Sequence, residues 1–276
     1  MKYIDIAKTL RLEEYFPLGQ VLFDNFNEVI LVEEKKEINF SFKEKERIQK
    51  EWQEHLLENP NDFDGNVGSV MEIIENDKIL KIIFRRGKFS QFYSTQKKRK
   101  EKINLFDVPL DKGACLPISF GAVTTTKSSS ENPHGCIIFA KRGKTAFDSE
   151  VITLLPGGYF DPEKDFSLFQ SVDSYSILST VSREFFEETG IVMDSIKVDY
   201  LGIVYNSLGS RQPLIACHLD IPFSKEELKI RTDEESKEIF FINNDINSVK
   251  EFIKDKEMAV HDAWKLILYF NKILNN

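Results

Sequence analysis

The stretch Arg183-Glu184-Phe185-Phe186-Glu187-Glu188-Thr189-Gly190-Ile191 decides how this chain of 276 residues is interpreted. Apolar residues recur at helical spacing in and before it, and a helix over about 176–189 is predicted. At 100° per residue, its three glutamates fall within an arc of about 100° beside the apolar stripe. The glycine that follows can adopt the left-handed conformation that ends a helix. The sequence therefore predicts an amphipathic helix whose edge carries three carboxylates.

The glutamates Glu184, Glu187 and Glu188 do not favour the stability of this helix. Like charges three and four residues apart repel each other, and the helix dipole disfavours anions near a C-terminus. Divalent Mg²⁺ or Mn²⁺ prefers oxygen ligands, and Mg²⁺ often binds carboxylates together with the phosphates of a substrate. The cluster therefore indicates a metal site for phosphate chemistry.

The same residues resemble the core of the Nudix box, R-E-apolar-x-E-E-x-G-apolar, and Pro156-Gly157-Gly158 resembles its beginning. The resemblance covers roughly residues 117–270. It implies an α+β Nudix fold, in which a mixed β-sheet is sandwiched between α-helices. It also implies metal-dependent hydrolysis of a nucleoside diphosphate linked to another moiety. By position in the motif, Glu184, Glu187 and Glu188 would ligate metal, Arg183 would orient them, and a backbone oxygen near Gly157 or Gly158 would join them.

The spacing within the box departs from the family pattern. Gly158 and Arg183 are 25 positions apart, about 11 more than usual in the family. The position where relatives carry an earlier glutamate is Tyr175. The sequence leaves open which acid replaces it as the partner of Arg183: Glu163, Asp165 or Asp173. The inserted segment, from about Asp161 to Ser174, is expected to be a mobile loop beside the site because its composition favours turns.

Scattered upstream residues resemble the UDP-sugar diphosphatase branch of the superfamily. They are Trp52, Asn59-Pro60, Phe63-Asp64-Gly65 and Gly121-Ala122-Val123-Thr124-Thr125. The favoured substrate is therefore a UDP-sugar, cleaved to UMP and a sugar 1-phosphate. Two alternatives stay open, namely a pyrophosphatase for ADP-ribose or a related dinucleotide, and a nucleotide sensor without catalysis. The general base would be Glu187 or a loop acid from the group Glu234, Glu235 and Glu238. The arginines considered as phosphate contacts are Arg85, Arg86, Arg142 and Arg211.

The chain is long enough for two folded units, with a linker-like stretch at 109–113. We therefore predict an N-terminal accessory α/β domain over 1–112 and a Nudix domain over 113–276. Within the first, residues 38–42 are predicted as a strand, 48–56 as part of a helix, and 69–75 and 79–85 as a hairpin. This domain is expected to form one wall of the substrate cleft, or else to mediate formation of a homodimer.

Composition restricts the partners and the compartment. A net charge of -8 disfavours binding to the nucleic-acid backbone, so a small phosphorylated ligand is expected instead. The three cysteines are widely spaced, and neither a disulfide framework nor a zinc site is predicted. With no signal-peptide pattern and no apolar run of membrane-spanning length, a cytoplasmic protein without membrane contact is expected.

Overall fold

A computed structural model describes residues 2–60, 62–100, 114–143, 150–165, 174–192, 197–206, 212–230 and 236–275. The N-terminal elements are α1 (Tyr3–Leu10), a 3₁₀ helix (Glu13–Leu18), β1 (Gly19–Phe23), β2 (Glu28–Glu33), α2 (Phe42–Glu58), β3 (Asn66–Asn76), β4 (Ile79–Lys88) and α3 (Phe89–Lys100). Then come β5 (Ser119–Thr125), β6 (Cys136–Arg142), β7 (Ile152–Leu154), β8 (Gly157–Tyr159) and β9 (Ser174–Ser176). The last elements are α4 (Ile177–Thr189), β10 (Val198–Asn206), β11 (Pro213–Asp220), β12 (Ser236–Asn243), α5 (Ile246–Ile253) and α6 (Val260–Asn275).

The larger sheet has eight strands, with the order β1-β10-β11-β5-β6-β12 and with β7 and β8 paired to β6 and β5. Strands β11 and β5 are parallel, whereas β8 runs antiparallel to β5 with Gly157 opposite Gly121. Residues of α1, α5 and α6 pack on one face of this sheet, and α4 packs on the other. The prediction of an α+β fold with a mixed sheet between helical layers is confirmed.

A second sheet has four strands in the order β3-β4-β2-β9. Strands β3 and β4 form the predicted hairpin, in which Asp77 and Lys78 take positive φ angles of 47° and 65°. The predicted strand over 38–42 is wrong, because Phe42 begins α2. The Ser41 side chain accepts a hydrogen bond from the Glu44 amide and Glu44 reciprocates, and this capping box favours a helix over an extended strand.

Strand β9 links the two halves of the chain. It comes from the end of the inserted segment and pairs antiparallel with β2, with Tyr175 opposite Leu31. Helix α4 begins at the next residue after β9, Ile177. The small sheet is therefore joined directly to the start of the helix that carries the glutamates.

Segments on both sides of residue 112 also share a core and a sheet. One buried cluster contains Leu31 and Phe84 together with Phe120 and Phe185. Strand β1 pairs with β10 in the larger sheet. The division into domains at residue 112 stays a prediction, whereas the contacts show that described residues before 101 pack on residues after 113. The linker-like stretch at 109–113 lies outside the described residues.

No helix in the described parts of the chain is long and apolar enough to cross a membrane.

Candidate active site

Helix α4 is fixed in the core by one face and presents carboxylates from its edge. Ile177, Val181 and Phe185 are almost completely buried against the core. The Glu184 side chain is 14% exposed and that of Glu187 is 48% exposed. The helix ends as predicted, because Gly190 has a φ of 72° and its amide donates to the Phe186 carbonyl at 2.8 Å.

Arg183 binds an acid of the inserted segment. Its Nε and Nη2 donate to the two carboxylate oxygens of Asp165, at 2.6 and 3.0 Å. Asp165 is fully buried, and its carboxylate also accepts the Asp161 amide at 2.8 Å. Of the three acids left open by the sequence, Asp165 is thus the partner of Arg183. Glu163 lies in the same turn but faces Arg86 at 3.9 Å, and Asp173 lies outside the described residues.

The same guanidinium also binds two of the glutamates. Its Nη1 donates to Glu184 at 2.8 Å and to Glu187 at 3.1 Å, and its Nη2 donates to the Tyr159 carbonyl at 3.0 Å. Arg183 therefore joins α4, the inserted segment and the strand that carries the glycines. Burial disfavours its charged form, but the hydrogen bonds that it donates to Asp165 and the charge of Glu184 outweigh burial and raise its pKa above the ordinary value.

Each of the two glycines at the predicted start of the box lies against one glutamate of α4. Gly158 lies against Glu184, and Gly157 lies against Glu188. A Cβ atom on Gly158 would overlap the Glu184 carboxylate. The amide of Gly157 donates to Glu188 Oε1 at 3.4 Å. The backbone before them is held to β5, because the Ala122 amide donates to the Pro156 carbonyl at 2.9 Å. The Thr124 hydroxyl donates to the Leu155 carbonyl at 2.6 Å.

Burial raises the pKa of Glu184 to about 7, while the charge of Arg183 acts in the opposite direction. A carboxylate this desolvated is stabilised by cations placed next to it. Arg183 is one such cation and stabilises the charged form of Glu184.

The donor chemistry of these residues fits a divalent metal. Three carboxylates and the backbone at Gly157 and Gly158 supply hard oxygen ligands, the kind that Mg²⁺ and Mn²⁺ prefer. Within the described residues, however, no three Asp, Glu, His or Cys side chains are arranged as a metal site. The Arg183 guanidinium contacts both Glu184 and Glu187, but its single positive charge is shared with Asp165 and offsets only part of their negative charge.

The remaining candidates belong to other elements or lie outside the described residues. Arg85 and Arg86 pair with Glu34 and Glu33 at the end of β4. Glu238 lies on β12 opposite Lys141, in a strand at the far edge of the larger sheet. Tyr175 belongs to β9. Arg142 ends β6. Arg211, Glu234 and Glu235 are not among the described residues, nor is most of the inserted segment, residues 166–173.

The sequence matches no protein-family model and no curated protein. Among solved structures, the chain is similar to the NUDIX domain of Shewanella oneidensis NrtR complexed with ADP ribose, at 18% identity over 58% of this chain and 89% of that chain, with a TM-score of 0.40. It is similar to the MutT protein of Methanosarcina mazei at 19% identity, over 58% of this chain and 96% of that one, with a TM-score of 0.39.

A third similar structure is a bifunctional NMN adenylyltransferase/ADP ribose pyrophosphatase from Francisella tularensis, complexed with AMP and a Mn ion. It shares 16% identity over 65% of this chain and 47% of that chain, with a TM-score of 0.38. The chain is thus similar in structure to Nudix and MutT proteins, and its own residues 183–191 carry the Nudix motif.

Proposed function

We propose that this chain is a Nudix-type hydrolase that cleaves the diphosphate linkage of a nucleoside diphosphate derivative. The observation that carries the proposal is the arrangement of the motif residues around the two glycines. Glu184 packs on Gly158, Glu188 accepts the Gly157 amide, and Arg183 is fixed by Asp165. A helix built for stability alone would not place three carboxylates at its C-terminal end.

A divalent cation, Mg²⁺ or Mn²⁺, would be held by Glu184, Glu187 and Glu188 together with backbone oxygen near Gly157 and Gly158. When bound, it supplies charge neutralisation on the phosphates and polarisation of the attacked phosphorus. Arg183 contacts one oxygen of Glu184 and one oxygen of Glu187, so the other oxygen of each carboxylate could ligate the cation. Asp165 holds Arg183 in place, because it binds another edge of the guanidinium.

Within this site, we assign the proton acceptor for the attacking water to Glu187. Its side chain is the more exposed of the two glutamates that contact Arg183, so water reaches it. General-base catalysis needs a carboxylate within hydrogen-bond reach of the water. Glu238 is the less suitable acid, because its strand forms an edge of the larger sheet and is separated by β6 from β5, the strand with which β8 pairs.

The proposed substrate is a UDP-sugar, hydrolysed with one water to UMP and a sugar 1-phosphate. This choice rests on the upstream residues that resemble the UDP-sugar diphosphatase branch. The alternative substrate is ADP-ribose, which would give AMP and ribose 5-phosphate. The two reactions release different products, so a single panel distinguishes them.

The test is a panel of nucleoside diphosphate derivatives incubated with the protein and Mg²⁺ or Mn²⁺, with released phosphomonoesters read after phosphatase coupling. UDP-glucose and ADP-ribose are the decisive members, and chelation by EDTA is the matched control. Metal-dependent turnover of UDP-glucose above that of ADP-ribose supports the favoured substrate. Absence of turnover across the panel contradicts hydrolysis.

One observation favours a second candidate, a nucleotide sensor. Arg183 already donates hydrogen bonds to Glu184 and Glu187, so these groups have partners without a metal. A sensor would bind ADP-ribose or UDP-glucose in calorimetry and leave the ligand intact. Binding with quantitative recovery of the ligand therefore identifies a sensor, whereas metal-dependent turnover rejects it.

A further inference from the structure

The C-terminal helix brings a buried ion pair close to the strand that carries the glycines. Lys265 Nζ lies 2.5 Å from Asp262 Oδ1, and the two side chains are 4% and 5% exposed. Burying two charges costs desolvation energy, and replacing such a pair by apolar residues is often neutral or stabilising. Stability alone therefore does not explain why this ion pair is buried. The groups that surround the pair indicate what else it does.

Asp262 binds β7, the strand just before the glycines. The Leu154 amide donates to Asp262 Oδ1 at 3.0 Å, and the Thr153 hydroxyl donates to Oδ2 at 2.9 Å. With Lys265, three donors converge on this one carboxylate. Helix α6 therefore holds the backbone three residues upstream of Gly157.

Lys265 lies over the Gly121–Gly157 pair of β5 and β8. A Cβ atom on Gly121 would be 2.5 Å from its Nζ, and one on Gly157 would be 4.0 Å away. Since neither residue has a side chain, the lysine approaches the backbone of both strands. The two glycines make room for the lysine on this face of the sheet.

The opposite face of β8 meets the glutamates. Successive residues of a strand point to opposite faces, so Gly158 is directed away from Lys265 and lies against Glu184. Strand β8 is thus enclosed between Lys265 of α6 and Glu184 of α4. The Gly157 amide, which donates to Glu188, lies within this layer.

We propose that Lys265 and Asp262 are positioning residues for the Gly157–Gly158 segment. They fix the backbone of this segment relative to Glu184 and Glu188 from the face of the sheet that the glutamates do not occupy. Neither residue touches the substrate in this arrangement. The proposal gives the ion pair a role in the proposed hydrolase and rests on that function, but its structural part is independent of any substrate.

The experiment compares Lys265→Met, Asp262→Asn and the double variant with the full-length wild-type chain. Lys272→Met is the matched control, because Lys272 lies on the same helix, is exposed, and contacts the Tyr200 carbonyl at 3.2 Å. Four quantities are measured: the midpoint of thermal unfolding, amide hydrogen exchange at 153–158, Mn²⁺ binding by electron paramagnetic resonance, and kcat with KM.

Each single variant leaves one buried charge without its partner, so a lower unfolding midpoint is expected. The double variant removes both charges and should recover most of that midpoint. Exchange at 153–158 should stay about tenfold or more above wild type in the double variant. Its Mn²⁺ binding should remain weaker, and its kcat should remain lower by about 10- to 100-fold, because small displacements of catalytic groups are costly. Lys272→Met should match wild type in all four quantities.

The proposal is overturned if the double variant regains wild-type exchange, Mn²⁺ binding and kcat along with its stability, since the pair is then only structural. If the wild-type chain hydrolyses no nucleoside diphosphate derivative, the proposed function fails, but exchange and Mn²⁺ binding still decide the positioning role. Wild-type exchange at 153–158 in the double variant would then reject positioning.

Discussion

Arg183 and Asp165 form a bidentate ion pair, at 2.6 and 3.0 Å, across 18 positions of sequence. Asp165 comes from the inserted segment and is fully buried, although the Nudix pattern places a glutamate at the position of Tyr175. The inserted segment therefore carries the acid that holds the arginine.

Replacing Asp165 by Asn tests whether Arg183 needs this acid as its partner. Asn retains the size but loses the charge and one acceptor, so Arg183 should turn toward Glu184 and Glu187. We expect kcat to fall by about 10- to 100-fold, since misplacement of a catalytic group by about 1 Å is enough for such a loss. Glu163→Gln, in the same turn but with a 59% exposed side chain, is the control and should keep wild-type kcat. Equal kcat values in Asp165→Asn and Glu163→Gln would show that the pair is not needed for turnover.

The glutamates should be essential for turnover and dispensable for folding. Glu187→Gln or Glu188→Gln should lower kcat by about 100-fold or more, because charge stabilisation at the transition state is lost. The unfolding midpoint should stay the same or rise, since repulsion at the helix end is reduced. Steady-state kinetics and calorimetry measure the two effects. Glu238→Gln serves as the comparison for the base assignment, and a larger loss there than in Glu187→Gln would move the base to β12.

Replacing Gly158 by alanine should have a larger effect than replacing Gly157 by alanine. On Gly158 the added methyl group would overlap the Glu184 carboxylate, whereas on Gly157 its nearest neighbour would be the Phe120 carbonyl oxygen at 3.8 Å. Gly158→Ala is therefore expected to displace Glu184, to weaken Mn²⁺ binding and to lower kcat more than Gly157→Ala does. Electron paramagnetic resonance with Mn²⁺ and kinetics on both variants give the comparison. The reverse order of the two effects is incompatible with this packing.

The pairing of β9 with β2 should support helix α4. Tyr175→Pro removes a backbone donor from a strand that is three residues long and directly precedes the helix. We expect a lower unfolding midpoint and faster amide exchange in the first turn of α4, together with a loss of kcat. Ser174→Ala, which leaves the backbone donors intact, is the control. If exchange in α4 is unaffected by the proline, the small sheet does not anchor the helix.

The burial of His218 should make the folded chain less stable at acidic pH. Burial lowers its pKa below the ordinary 6.5, although the charges of Asp199 and Asp220 act in the opposite direction. The unfolded chain then binds a proton more readily than the folded one, so stability falls as pH drops below 6.5 toward the folded pKa. Chemical denaturation between pH 5 and 7.5 should show this slope, and His218→Gln should flatten it. An unchanged slope in that variant would assign the pH dependence to other groups.

Local patterns predicted the helix and the edge of it that carries the glutamates. The stripe of Ile177, Val181 and Phe185 fixed which edge of α4 carries the glutamates, and Gly190 marked its end, because both depend on residues one turn apart. The hairpin of β3 and β4 was equally predictable from the sequence, since its turn residues are adjacent. In contrast, the prediction of a strand over 38–42 was wrong. The alternation of apolar and polar residues there competes with a stronger local signal, the capping box at Ser41.

Contacts between residues far apart in the sequence could not be predicted in this way. Asp165 was one of three acids that the spacing allowed, and only tertiary packing distinguishes them. Lys265 and Asp262 lie on α6, and their place over β7 and β8 depends on how α6 crosses the sheet. The pairing of β1 with β10 joins residues that are about 180 positions apart, and alternation along either strand contains no information on its neighbour.

That pairing has a consequence for fragments of this chain. A polypeptide beginning at residue 113 would lack β1 and expose the backbone donors and acceptors of one edge of β10. It would also uncover the Trp264 indole, which packs on Gly19 and donates to the Tyr15 carbonyl at 3.2 Å. An unprotected edge strand is a template for association with other chains. The polypeptide from residue 113 onward should therefore aggregate on expression, and supplying residues 1–100 as a separate polypeptide should restore its solubility.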